Sequence, residues 1–152
     1  MTGTMATETT SKTPAARPFK YRRPEVESGK RNVKLGRTDR MIGIIQVLKR
    51  GGETNLHSHA HMDGFWMVLS GRVRFYGEGN VLLGHYGPYE GVVLPRGCPY
   101  WFENVEDEIA ELLQVEAFDI AIPDDDTLRK DRTNYEAPKR PMGDFLELEK
   151  TS

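Results

Sequence analysis

Three of the four histidines in this chain lie in one heptapeptide, His57-Ser58-His59-Ala60-His61-Met62-Asp63, entered from Gly51-Gly52. On an extended strand, side chains two positions apart share a face, so His57 and His59 aim two imidazoles at one point. Imidazole binds transition metals and exchanges protons near neutral pH. The pair therefore predicts a metal-binding or acid–base site, and the bland alternative is two hydrogen-bonded imidazoles lining a polar pocket. His61 continues the same parity and joins the pair if the strand runs on; if the chain has already turned, it sits at the pocket rim. Asp63-Gly64 has the composition of a tight hairpin turn. His85, before Tyr86-Gly87-Pro88, reads as a surface-loop histidine. Cys98 has only Arg96 nearby as an activating charge and reads as an ordinary small residue.

These residues need rigid elements to hold them. From Arg40 onward, short runs rich in Val, Ile, Leu, Phe and Tyr are separated at intervals of roughly 8–12 residues by Gly, Pro, Asn or Asp, the spacing of an all-β sandwich or barrel. Strands are expected near Met41–Lys49, Thr54–His59, Phe65–Ser70, Arg72–Tyr76, Val81–Gly84, Gly91–Leu94, Tyr100–Glu103 and Glu108–Ala117. Residues 1–18 read as an unstructured tail, 19–40 as an extended N-terminal arm, 41–118 as the barrel and 119–152 as a C-terminal extension. Within that extension, Asp124 to Asp126 looks like a helix start, Arg132 to Gly143 reads as loop, and Asp144–Glu149 fits a short helix or an edge strand.

Composition removes several functions. A chain of 152 residues suits one core domain with tails. Its longest apolar run, Met41–Leu48, falls far short of the roughly 20 residues that span a bilayer. The N-terminus lacks a secretory apolar segment and a single cysteine excludes an internal disulfide, so a cytoplasmic, reduced setting is expected. A net charge of −2 offers no bulk field for nucleic acid or anionic membrane. Charge is nonetheless segregated: Arg17 to Arg40 holds nine bases against three acids, and Glu103 to Asp126 holds ten acids and no base. The two segments can pair within one chain or between two chains, or simply stay solvated.

Two motifs resemble the cupin superfamily. Its first motif is a glycine, five residues, His-x-His, three or four residues, Glu, six residues and Gly; here Gly51, His57, His59 and Gly71 match. In the second, Pro95, Gly97 and Asn104 match within Leu94 to Asn104. Both occur in order, and flanking strands extend the likeness over roughly 40–117. The resemblance implies a small antiparallel β-barrel of the jelly-roll or double-stranded β-helix type, holding a metal and a small organic ligand, commonly as a homodimer. Family chemistries include dioxygenation, isomerisation, epimerisation, decarboxylation and lyase reactions, alongside non-catalytic binding, so the fold does not name the substrate.

Two of the family's four usual ligands are missing. Gly64 stands at the glutamate position and Tyr100 at that of the third histidine. Asp63 fits the looser spacing but faces away on a regular strand unless a bulge turns it inward. Tyr100 shares parity with Phe102, and its phenol, with an ordinary pKa of about 10, serves as a ligand, an acid, a hydrogen-bond donor or a core filler. By parity, Gln46, Trp66, Phe75, Phe102 and either Gln114 or Leu113 line an aromatic cavity, with Glu116 joining if Gln114 points inward. The leading expectation is a metal-dependent enzyme using Fe, Mn, Ni or Zn, with His57 and His59 as ligands completed by Tyr100, His61 or Asp63. It would act on a small aromatic or carbonyl-containing metabolite, with dioxygenation slightly ahead. The alternatives are a metal-free isomerase, epimerase or cyclase using Tyr100 and histidine as acid and base, and a non-catalytic binding module.

Overall fold

The computed structural model describes residues 13–51, 54–139 and 145–148. In chain order its strands are β1 Lys30–Arg37, β2 Met41–Leu48, β3 His57–His59, β4 Met62–Ser70, β5 Val73–Tyr76, β6 Leu82–Tyr86, β7 Gly91–Leu94, β8 Trp101–Glu103 and β9 Ala110–Phe118. Helix α1 Asp125–Lys130 follows, then β10 Arg132–Asn134 and β11 Phe145–Glu147. One wall is a six-stranded sheet in the order β11-β1-β2-β9-β4-β7; the other is built from β6-β5-β8 and the pair β10-β3. A bridge between His57 and Tyr100, with backbone bonds of 3.1 and 2.9 Å, joins the two parts of the second wall.

Period-two alternation selects the faces. Along β4, Met62, Gly64, Trp66 and Val68 turn inward while Asp63 and Phe65 face out. Trp66 and Val68 meet Val73 and Phe75 of β5, Phe102 of β8 and Leu112 of β9 in one apolar cluster. A second cluster joins Ile42, Ile44, Met62 and Phe118 to Ile122 and to Leu128 of α1. On the outer face of the large sheet, Ile45 and Val47 are buried beneath Val26, with Tyr21 packed alongside.

The opposed charge segments meet within this chain. Arg23 forms an ion pair with Glu111, which also accepts from the Tyr21 hydroxyl, and Lys34 and Arg37 each lie 3.1 Å from Asp125. The latter two contacts tie β1 to the start of α1, where the Asp124 carboxylate caps the helix by accepting from the Thr127 backbone N–H at 2.8 Å.

Several sequence expectations are revised. Asp63-Gly64 is not a turn; it lies inside β4, because the chain bends earlier, at Ala60-His61. The basic arm contains a full strand, β1, and the loop-like stretch after Asp131 contains β10. Phe145–Glu147 resolves as an edge strand, parallel to β1. His85 lies on β6 rather than in a loop. Residues 1–12 of the expected N-terminal tail and residues 140–144 and 149–152 of the extension lie outside the described residues. No helix among the described residues is long and apolar enough to cross a membrane.

Pairing of β4 with β7 requires a residue without a side chain at 91, since a Cβ there would lie 1.8 Å from the Trp66 carbonyl oxygen. Gly91→Ala should cost about 2–3 kcal/mol, the upper range for overpacking. Gly36→Ala, whose added carbon meets nothing within 4 Å, should stay within about 0.5 kcal/mol in the same denaturant titration.

Candidate active site

The barrel opens onto a cavity with about 510 Å³ of empty space, its mouth included. His57 and His59 project into it from β3, with ring centroids 5.3 Å apart. The His57 Nδ1 lies 2.5 Å from the Asn55 carbonyl oxygen, which assigns its proton to Nδ1 and leaves Nε2 as the lone-pair nitrogen. Tyr100, opposite His57 across the bridge, brings its ring to 4.3 Å from that imidazole. The His59 Nδ1 makes no hydrogen bond and stands 3.9 Å from the Asp131 carboxylate.

A carboxyl group reaches the cavity from β9. Glu116 pairs across strands with Gly64, and a Cβ at Gly64 would sit 3.3 Å from each Glu116 carboxyl oxygen. The missing side chain of one strand thus makes room for the side chain of its neighbour. The same Cβ would lie 2.8 Å from Trp66 Nε1, a buried N–H with no hydrogen-bond partner. The glutamate position of the family motif is empty, yet a carboxyl and an indole donor flank the space above it. A hydrogen-bonded row leads to Glu116 along the wall: Lys30 Nζ donates to Gln46 at 3.4 Å, Gln46 to Gln114 at 2.8 Å, and Gln114 to Glu116 at 2.8 Å.

Burial sets the protonation states. Desolvation, helped by the Arg132 charge, lowers His57 from 6.5 to about 2 and His59 to about 4. Desolvation raises Glu116 from 4.5 to about 8 against the lowering effect of Gln114, and pushes the Tyr100 phenol well above its usual range. At neutral pH the cavity therefore holds two neutral imidazoles, a protonated carboxyl and a protonated phenol.

Gln46, Trp66, Phe102, Gln114, Tyr100, His57 and His59 line the cavity as their parity predicts. Glu116, the conditional member of the expected set, joins them. Phe75 does not: its strand lies behind the cavity, and its ring is a fully buried core group against Trp66 and Phe102. Asp63 faces outward, as a regular β4 requires, and accepts from the Arg96 backbone N–H at 2.9 Å. It is therefore no ligand candidate. His61 is at the rim, its side chain 46% exposed and its Nδ1 2.6 Å from Asp131; the turn at Ala60-His61 removes it from the imidazole pair. Sequence reasoning missed Lys30 and Asn32 of β1 and Arg132 of β10, all of which border the cavity. Their strands carry too few apolar residues to show a period, and only pairing with β2 and β3 brings them in.

The donor set does not fit a metal centre of the family's kind. Two imidazoles converge, but the positions of the other two ligands hold Gly64 and a tyrosine whose phenol resists ionisation. Among the described residues no group of three or more His, Cys, Asp and Glu could hold a metal ion. The Arg132 charge beside both imidazoles further disfavours a dication there.

Residues 44–116 match the cupin domain family model, so this part of the chain is a cupin domain. Solved structures share its double-stranded β-helix fold. TT1209 from Thermus thermophilus is similar at 27% identity, with 59% of this chain and 83% of that one covered and a TM-score of 0.52. An uncharacterised conserved protein from Klebsiella pneumoniae, described as having a double-stranded β-helix domain, is similar at 20% identity over 71% of this chain and 99% of its own, with a TM-score of 0.58. A sugar phosphate isomerase of the cupin superfamily from Silicibacter pomeroyi is similar at 22% identity over 57% and 59% of the two chains, with a TM-score of 0.50. No curated protein sequence matches the chain.

The buried groups give a signed pH dependence of stability. Both histidines have depressed folded pKa values, so their contribution is present above 6.5; that of His59 is lost as pH falls through about 4, and that of His57, lowered further, continues to fall away below that. Glu116 is raised, so its contribution is full below 4.5 and lost as pH rises through about 8. Melting temperature should peak between these limbs, and Glu116→Gln should flatten the alkaline limb alone. An unchanged alkaline limb in that variant would mean Glu116 titrates normally.

Proposed function

We propose that this cupin is an enzyme that transfers protons, without a metal, on a small carbonyl-containing organic molecule, an isomerase or epimerase in type. One observation carries the reading: Glu116, His57 and His59 share the walls of one cavity, where burial favours the neutral form of each. Neighbouring titratable groups whose environments push their pKa values apart are the arrangement that assigns an acid and a base.

The roles follow from the hydrogen bonds. His59, with a lone pair that no protein group occupies, removes a proton from the carbon next to the carbonyl. As that C–H bond breaks, the carbonyl oxygen, held above Gly64 by the Trp66 N–H, takes the Glu116 proton and becomes an enol. Return of the proton to the other face of the carbon, or to its neighbour, gives the epimer or the isomer and restores both residues. His57 is tethered by Asn55 and orients the partner ring of Tyr100. The Tyr100 phenol stays protonated and acts as a donor.

The reaction should be fastest between about pH 4, above which His59 is the free base, and about pH 8, below which Glu116 keeps its proton. The charged or titratable groups that act on them include His57, Tyr100, Asp131, Asp63, Lys30 and Arg132. The test is deuterium incorporation from D₂O at the α-carbon of a panel of hydroxy- and keto-compounds, read by NMR on chelator-treated protein. Exchange that survives chelation and falls roughly 10²–10⁴-fold in Glu116→Gln and His59→Ala supports the proposal. If chelation abolishes turnover and Fe, Mn, Ni or Zn restores it with O₂ uptake, the metal-dependent oxygenase reading replaces it. Binding without exchange on any compound would make the chain a binding module.

A further inference from the structure

We infer that the substrate of this cavity is a hydroxy ketone or hydroxy aldehyde, held across the large sheet with its hydroxyl on Asn32 of β1 and its carbonyl oxygen on the indole N–H of Trp66 of β4. The inference rests on the proton-transfer reading for the identity of that oxygen as a carbonyl. It adds a second functional group and the direction in which the molecule is held.

Two buried hydrogen-bonding atoms in the cavity walls have nothing to bond to. Asn32 is 6% exposed and Trp66 2%, both line the cavity, and neither the Asn32 side-chain oxygen nor the Trp66 Nε1 has a partner. A dry, unpaired polar atom is costly, and folded proteins keep few of them. One of these two is an acceptor and the other a donor, so they ask for two different groups on a ligand.

Register sets them on the two flanks of a polar row. Asn32 stands opposite Gln46 of β2, Trp66 stands opposite Gln114 of β9, and β2 and β9 are neighbours in the sheet. The two glutamines between them are spent on each other and on Glu116: Gln46 donates to Gln114 at 2.8 Å, and Gln114 donates onward to Glu116 at 2.8 Å. The row therefore leaves an acceptor open on its β1 side and a donor open on its β4 side. Adjacent strands lie about 4.8 Å apart, so the two flanks suit the two ends of one short carbon chain.

Each end selects its group. An indole N–H only donates, so the ligand atom at Trp66 is an acceptor. Space for it exists at Gly64, where a Cβ would come 2.8 Å from the Trp66 Nε1 and 3.3 Å from each Glu116 carboxyl oxygen. The Asn32 oxygen needs a donor, and a neutral hydroxyl reaches a buried site at less desolvation cost than an ammonium. Ile44, Met62, Leu128 and Phe145 give the cavity apolar wall for the carbon skeleton. Asn32 precedes the residues that match the cupin domain, so the hydroxyl is read by the N-terminal arm of this chain and the carbonyl by its barrel.

The test follows the indole N–H signals of the full ¹⁵N-labelled chain by NMR. Trp66 and Trp101 are its two tryptophans, and the Trp101 N–H, already bonded to Asn80 at 2.8 Å, serves as the internal control. The probes are butanone, the hydroxybutanone that bears its hydroxyl on the terminal carbon remote from the carbonyl, and the methyl ether of that alcohol. The hydroxy ketone should move the Trp66 signal, leave that of Trp101 in place, and bind at least about fivefold tighter than butanone or the ether, which cannot donate to Asn32. In Asn32→Leu, which keeps the volume and removes the acceptor, that preference should shrink to about twofold or less. Equal affinity for the hydroxy ketone and its ether, no movement of the Trp66 signal with any probe, or an unchanged preference in Asn32→Leu would each overturn the inference. The probe series on the wild-type chain decides the matter even where a variant fails to fold. Failure of the proton-transfer reading is a separate result: the indole shift and the hydroxyl preference would stand, with no deuterium taken up from D₂O next to the carbonyl. Uptake by butanone as fast as by the hydroxy ketone would overturn the hydroxyl and keep the chemistry.

Discussion

A polar side chain inside a barrel has lost its water, and the structure around this cavity follows from how each such group is compensated. The Lys30–Gln46–Gln114–Glu116 row passes donors to acceptors across three neighbouring strands and ends at a carboxyl that keeps its proton instead of a charge. Arg132 donates to the side-chain oxygens of Asn134 and Asn55. The histidines stay neutral, since burial and the adjacent guanidinium both oppose protonation. The same desolvation that makes these groups expensive separates their pKa values and gives the site an acid and a base at one pH.

Gly64 shows how a lost side chain reorganises a site without emptying it. The backbone register of β4 against β9 places residue 64 opposite residue 116. With no Cβ at 64, Glu116 swings its carboxyl over the vacant position, beside an indole N–H that no protein acceptor uses. A carboxyl arriving from the neighbouring strand meets different company from one rooted in β4. It is tied to Gln114 and buried, so it presents a proton donor where an ionised carboxylate would present a metal ligand.

Much of the central architecture was legible because alternation is local. The strands from Met41 to Ala117, the His57/His59 pair and the inward parity of Gln46, Trp66, Phe102 and Gln114 all follow from period two. Asp63-Gly64 misled for an equally physical reason. That dipeptide favours turns in isolation, but a barrel strand tolerates it when the aspartate faces solvent and the glycine faces a crowded interior. β1 and β10 were illegible as strands because their residues are mostly polar, and β10 finds its partner only in β3, far back in the sequence; the segment of β11 was legible only as a short helix or an edge strand. Phe75 shows that parity gives a face, not a depth: it points inward, yet at the packed end of the barrel.

The division of labour between the barrel and its extensions has a mechanical side. Arg132 and Lys30 reach the cavity only if β10 stays paired with β3 and β1 with β2, and both pairings are fastened at a distance. Lys34 and Arg37 of β1 hold Asp125 of α1, and α1 leads through Asp131 directly into β10. Leu128 of the same helix packs into the apolar cluster beside the cavity. Through Lys34, Arg37 and Asp125 the basic and acidic segments that stand apart in the sequence therefore join β1 to the helix whose Leu128 lines the cavity. Each contact is solvent-accessible and modest singly, but together they couple the position of the two cations to one docked helix. Loosening that helix would withdraw charge from the cavity while leaving the imidazoles and the carboxyl, which belong to the barrel, where they are.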